Sequence, residues 1–150
     1  MNYVTLQYEI KMATKYVKTP YSFPSINRYK NDNVSDGSVW IGRVKIDGSN
    51  AGVVYNKTDD TLLCQSRNNF IDEINDNLEF HKWFLMNKEK LREFIVGLEY
   101  DGDVIVLYGE WCGHRINKTG LANLPCRMFV AFKVGVYNGK NRILYDLKIK

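Results

Sequence analysis

The chain has 150 residues, 45% of them hydrophobic, with 7 Phe, 10 Tyr and 3 Trp, and a formal net charge of +4. That suits one domain, or one piece of a domain, with a real core, and its scattered basic residues permit an anionic partner without naming one. No run of about 18 apolar residues occurs, which excludes a transmembrane helix, and Met1-Asn2-Tyr3 opens into alternation rather than a secretory signal.

The three cysteines, Cys64, Cys112 and Cys126, are odd in number and match no zinc spacing, so a reduced, cytoplasmic setting is expected (the host cytoplasm if the source is viral). Val4, Leu6, Tyr8, Ile10 and Met12 alternate with polar residues and predict a first strand with one buried face. Thr19-Pro20-Tyr21-Ser22-Phe23-Pro24 breaks any regular element, and 31–37 is a polar turn.

The stretch Arg43-Val44-Lys45-Ile46-Asp47-Gly48-Ser49-Asn50 lies between the apolar runs Val39-Trp40-Ile41 and Ala51-Gly52-Val53-Val54-Tyr55. It predicts strand, tight turn, strand, with Lys45 at the mouth of the turn. Lysine becomes a good nucleophile when nearby positive charge or desolvation favours its neutral amine, and Gly48 lets a phosphate approach the backbone. A lysine and an aspartate beside a turn are ordinarily just solvated turn residues, so the motif needs support from the rest of the chain.

Ala51 to Tyr55, the turn 56–60 and Thr61 to Arg67 predict an antiparallel meander with Arg67 at a strand end, where five fixed donors suit a phosphate or a sugar edge. Phe70, Ile71, Ile74, Leu78, Trp83 and Phe84 recur at helical spacing, and Asn87 is placed to cap a second helix with Leu91, Phe94, Ile95 and Leu98 on one face. Val104 to Tyr108 reads as a buried strand ending in Gly109-Glu110-Trp111-Cys112-Gly113. Glu110 there can accept ribose hydroxyls or hold a hydrated magnesium ion. Met128 to Val136, the turn Asn138-Gly139 and Arg142 to Leu147 form a last hairpin. Within it Phe129 and Phe132 point to opposite faces, so only one of them can line a given pocket and stack on a base.

In order, Lys45-Ile46-Asp47-Gly48-Ser49-Asn50, Ser66-Arg67, Gly109-Glu110-Trp111-Cys112-Gly113 and Phe129-Val130-Ala131-Phe132 resemble the motifs of the covalent nucleotidyltransferases. The nearest likeness is to the second family of ATP-dependent RNA ligases, the phage RNA-repair and trypanosome editing type. It spans about residues 20 to 146 and rests on Asn50 where DNA ligases and capping enzymes usually carry Arg. Asp47 and Val44 depart from the His and Glu common in that family. The resemblance implies an α+β fold of antiparallel sheets with an inserted helical pair, as a partial covalent-nucleotidyltransferase (ATP-grasp-like) domain. It implies ATP and Mg2+ as cofactors, and RNA ends bearing 5′-phosphate and 3′-hydroxyl as partners. Lys45 would take AMP from ATP, Phe132 would stack on adenine, Arg67 and Glu110 would hold the ribose, and Asn50 would order the phosphate or metal waters. All five would share one cleft between sheets. The family's later Glu-Gly metal motif and lysine pair have no counterpart, and Lys148-Ile149-Lys150 reads as a strand end. The chain is therefore expected to be incomplete alone and to form little lysine–AMP adduct unless the missing portion is supplied, covalently or by a second chain. The alternative is a non-catalytic or split-subunit nucleotide- or RNA-binding relative.

Overall fold

The computed structural model describes residues 20–25, 39, 44–118 and 120–147. The strand expected over residues 4–12, the turn at 31–37, most of the run into Lys45 and the terminal Lys148-Ile149-Lys150 lie outside the described residues.

Strands β1 (Ser49–Asn56), β2 (Thr61–Ser66), β3 (Phe70–Ile71), β4 (Val104–Gly113), β5 (Arg127–Asn138) and β6 (Asn141–Asp146) form one antiparallel sheet in the order β3-β2-β1-β4-β5-β6. Alternation in β1 and β4 sends Ala51, Val53, Tyr55, Ile105, Leu107 and Trp111 to one face, and Val54, Val104, Val106 and Tyr108 to the other. The first face is covered by helix α1 (Phe80–Gly97), which buries Phe80, Phe84 and Ile95 against it. Phe80 sits against Trp111 and Phe129, with ring centroids 5.3 and 5.4 Å away. On the second face Tyr21 and Phe23 cross the strands, Phe23 meeting Tyr108 and Phe132 edge-on. Gln65, buried opposite Gly52, holds that segment: its Oε1 accepts from the Tyr21 amide and its Nε2 donates to the Tyr21 carbonyl. Such pairing removes the cost of burying an amide.

The α+β class stands, but the expected helical pair is a single helix. Phe70 and Ile71 are not helical; they pair with Gln65 and Cys64 as β3. Between them and α1 lies a run rich in Asp and Asn, whose short side chains compete with helical hydrogen bonding. Asp72 Oδ1 accepts from the amides of Ile74 and Asn75, closing a turn that leaves Ile74 91% exposed. Asn87 is not a cap but a residue inside α1, donating its Nδ2 to the Trp83 carbonyl. The start of α1 is capped from outside: the Asp76 carboxylate accepts from the amides of His81 and Lys82. At the other end Arg92 grips Asp60 with two hydrogen bonds of 2.9 and 2.8 Å, and Tyr55 donates to the same carboxylate.

β4 also runs further than expected. Gly109 does not end it, because β1 and β5 pair with it on both sides to Trp111 and beyond. A Cβ at Gly109 would lie 2.5 Å from the Phe129 ring and 2.6 Å from the Val130 carbonyl. Glycine is used there to seat an aromatic ring, and Glu110 is an interior strand residue.

Candidate functional site

The register sets out the site. Asn50 of β1 pairs with Glu110 of β4, and Glu110 pairs with Val130 of β5. Ser66 pairs with Ala51, so Arg67, one residue past the end of β2, falls level with Asn50. Glu110 shares parity with Tyr108 and Val106, which places it on the second face, away from α1.

A bulge brings Phe132 to that face. Tyr108 pairs with Lys133 and Gly109 with Ala131, so Phe132 has no partner across the ladder. Phe129 and Ala131 pack on the helix side before it, Val134 and Val136 after it, and Phe132 packs on the opposite side with Phe23 and Tyr108. One extra residue lets a strand change which parity it buries.

Lys45 and Asp47 sit in irregular chain just before β1, and Gly48 bends into it. A Cβ at Gly48 would lie 2.6 Å from the Trp111 carbonyl oxygen and 3.0 Å from the Cys112 Cβ, so the turn lies directly on β4. Two side chains from elsewhere hold it. Asn117 donates its Nδ2 to Asp47 Oδ1 at 3.2 Å and to the Gly48 carbonyl at 3.1 Å, while Asn77 Nδ2 donates to Ser49 Oγ at 2.8 Å. Neither asparagine stood out in the sequence, since asparagine in a polar loop is ordinary and their targets are 28 or more positions away.

The electrostatics join these pieces. Partial burial pushes the Glu110 carboxyl above the usual carboxylate range; the Arg67 and then the Lys45 charge pull it down, and Asp47 pushes it up. Three charged groups from two other stretches therefore act on the Glu110 carboxyl. Asn50, Arg67, Glu110 and Phe132 belong to this end and face of the sheet, and the chain ahead of β1 brings the Lys45 charge near enough to act on Glu110. The arrangement is one face of one sheet among the described residues, not a cleft between sheets.

Glu110 and Asp47 are the carboxylates of the patch that could hold a hydrated magnesium ion, which takes one or two carboxylates and completes its shell with water and phosphate, although no cluster of three or more His, Cys, Asp or Glu side chains gathers among the described residues. The cations and the exposed edge of the patch suit the phosphates of a nucleotide. Among the described residues no helix is long and apolar enough to cross a membrane.

A family model described as RNA ligase matches residues 38–146, which is more than half of the chain and contains the whole patch. Comparison with curated proteins finds no relative that matches.

Proposed function

The chain belongs to the RNA ligase family, and from that premise we propose that it is the adenylyltransferase domain of an ATP-dependent RNA ligase of the second family, the phage repair and editing type. The observation that carries this reading is the meeting of Lys45, Arg67, Asp47 and Glu110 in one electrostatic neighbourhood on the sheet face that also presents Phe132.

In this reading Lys45 attacks the α-phosphorus of ATP. The Nζ–P bond forms as the bond to pyrophosphate breaks, and the amine proton leaves to solvent. The AMP then passes to an RNA 5′-phosphate, and a 3′-hydroxyl displaces it to seal the strand. In-line displacement at phosphorus asks mainly for positioning and charge neutralisation. Gly48, pressed on β4, and Asn117, bonded to Asp47 and Gly48, fix where the turn carries Lys45. Arg67 faces the anionic ligand; Glu110 accepts from ribose hydroxyls; Phe132 offers a ring to adenine; Asn50, beside Glu110 in the ladder, orders phosphate or water. Asp47 and Glu110 are the carboxylates that would hold a magnesium ion, which would supply charge neutralisation at the phosphates.

The test is nucleotide binding by calorimetry, followed by intact-mass measurement after incubation with ATP and magnesium. Glu110→Ala and Phe132→Ala should each weaken ATP binding in a folded protein, and Lys45→Ala should abolish any AMP-sized mass gain. ATP binding unaffected by both pocket variants would sink the reading. A mass gain that survives Lys45→Ala would remove the lysine from its role. Tight ATP binding with no adduct, even with a downstream domain supplied, would select the non-catalytic relative.

A further inference from the structure

A cleft of about 400 Å³ opens beside Trp111 near the C-terminal end of β4, on the helix side of the sheet, the opposite face from Glu110. Glu79, Lys82 and Trp83 line one wall and His114, Arg115 and Arg127 the other. Three permanent cations thus face one carboxylate, and that carboxylate is already engaged by Arg127 and, at 3.6 Å, by Lys82. Among the described residues the Arg115 side chain has no hydrogen-bond or ion-pair partner. The partly exposed Trp83 and the 78% exposed Met86 give the cleft an apolar wall beside its charges.

Hydrogen bonds fix the shape of the cleft's rim. Leu78, Glu79 and Arg115 at its rim all take the left-handed backbone conformation, which costs free energy for residues with a side chain. They keep it because other groups bind them there: Trp111 Nε1 and Arg127 Nη1 both donate to the Leu78 carbonyl, and Arg127 Nε donates to the His114 carbonyl. The loop bearing Arg115 continues to Asn117, which bonds the Asp47-Gly48 turn. One loop therefore forms a wall of the cleft and a support of the proposed nucleophile.

We propose that this cleft is a contact site for single-stranded RNA, taking backbone phosphates on Lys82 and Arg115 and a base against Trp83, with Arg127 holding the wall between them. Cations along a groove with an aromatic beside them is what a single strand requires: phosphates supply the charge, and any base can stack. The site rests on the RNA ligase reading for its choice of RNA, and it lies beyond the nucleotide patch.

The test uses the full chain with the double variant Lys82→Ala/Arg115→Gln, and Lys82→Glu alone as a second variant that leaves the Arg115 backbone untouched. Binding of a fluorescent single-stranded RNA with 5′-phosphate and 3′-hydroxyl ends is read by anisotropy across a salt series. ATP affinity is measured on the same preparations. The double variant should bind RNA about tenfold more weakly at low salt, with the slope of log K against log salt reduced by about 1.4, since each single-strand phosphate contact contributes about 0.7. Lys82→Glu should also weaken RNA binding, and ATP affinity should stay at the parental value in both. Unchanged RNA affinity and slope in both variants would overturn the proposal. Equal loss of ATP and RNA binding would overturn it too, placing the cleft within the nucleotide site. Displacement of RNA by polyglutamate as effectively as by unlabelled RNA would show a charged patch with no use for bases. A parent that binds RNA but not ATP, with the variant loss intact, would refute the ligase reading while leaving the cleft's role standing.

Discussion

Gly48→Ala tests how the turn that carries Lys45 is placed. The added Cβ would lie 2.6 Å from the Trp111 carbonyl oxygen, where ordinary contact begins at 3.4 Å, and 3.0 Å from the Cys112 Cβ. The first obstacle is backbone in the interior of β4, paired on both sides, so it cannot swing away. The turn must therefore lift by something near the deficit of about 0.8 Å. Two costs follow. Overpacking against a fixed neighbour destabilises by about 1–3 kcal/mol, which for a chain of this size lowers Tm by about 2–4 °C per kcal/mol. A reacting group displaced by about 1 Å can lose on the order of a hundredfold in rate. Scanning calorimetry reads the first, and the rate of AMP-sized mass gain, relative to the parent under the same conditions, reads the second. Gly97→Ala is the control: nothing lies within 4 Å of its added Cβ at the end of α1, so it should be neutral or slightly stabilising. A Gly48→Ala protein melting within a degree of the parent would refute the claim that the turn is pressed on β4.

Phe132→Ala should weaken ATP binding by about 1–3 kcal/mol, the loss usual for a stacking partner, while Phe129→Ala should lower Tm first because that ring packs on Phe80; calorimetry of both variants separates the two. Glu110→Gln should raise Tm near pH 7, because an acid whose folded pKa is raised favours the native state below its unfolded pKa and loses that advantage as pH rises through the folded value. The gain should vanish below about pH 4, where the parent carboxyl is protonated in both states; a difference that persists there would disprove the ionic explanation. Asp76→Ala should cost about 0.5–2 kcal/mol in urea unfolding, since it strips the His81 and Lys82 amides of their acceptor. An unchanged midpoint would show that the cap contributes nothing.

Apolar runs bounded by turn signals were sufficient to read β1, β2, β5 and β6 and the Asn138-Gly139 turn; in β1 the run from Ala51 to Tyr55 is continuous because both faces of the strand are covered. The order of the four motifs was equally legible, since it depends on residue type and spacing along the chain. What local pattern could not supply was competition between distant partners. Phe70 and Ile71 have helical spacing, yet the open edge of β2 claims them as a strand, and the Asp- and Asn-rich run behind them delays the helix to Phe80. Asn87 has the chemistry of a cap, but the Asp76 carboxylate already holds the helix start. Glu110 sits between glycines that read as a strand end, and only the presence of β1 and β5 on either side keeps the strand going. The parity switch at Phe132, the grip of Asn117 on the Asp47-Gly48 turn and the cationic cleft behind Trp111 depend on which residues from separate elements meet. Those meetings are decided by packing two faces of one sheet at once, a condition that no single stretch of sequence contains.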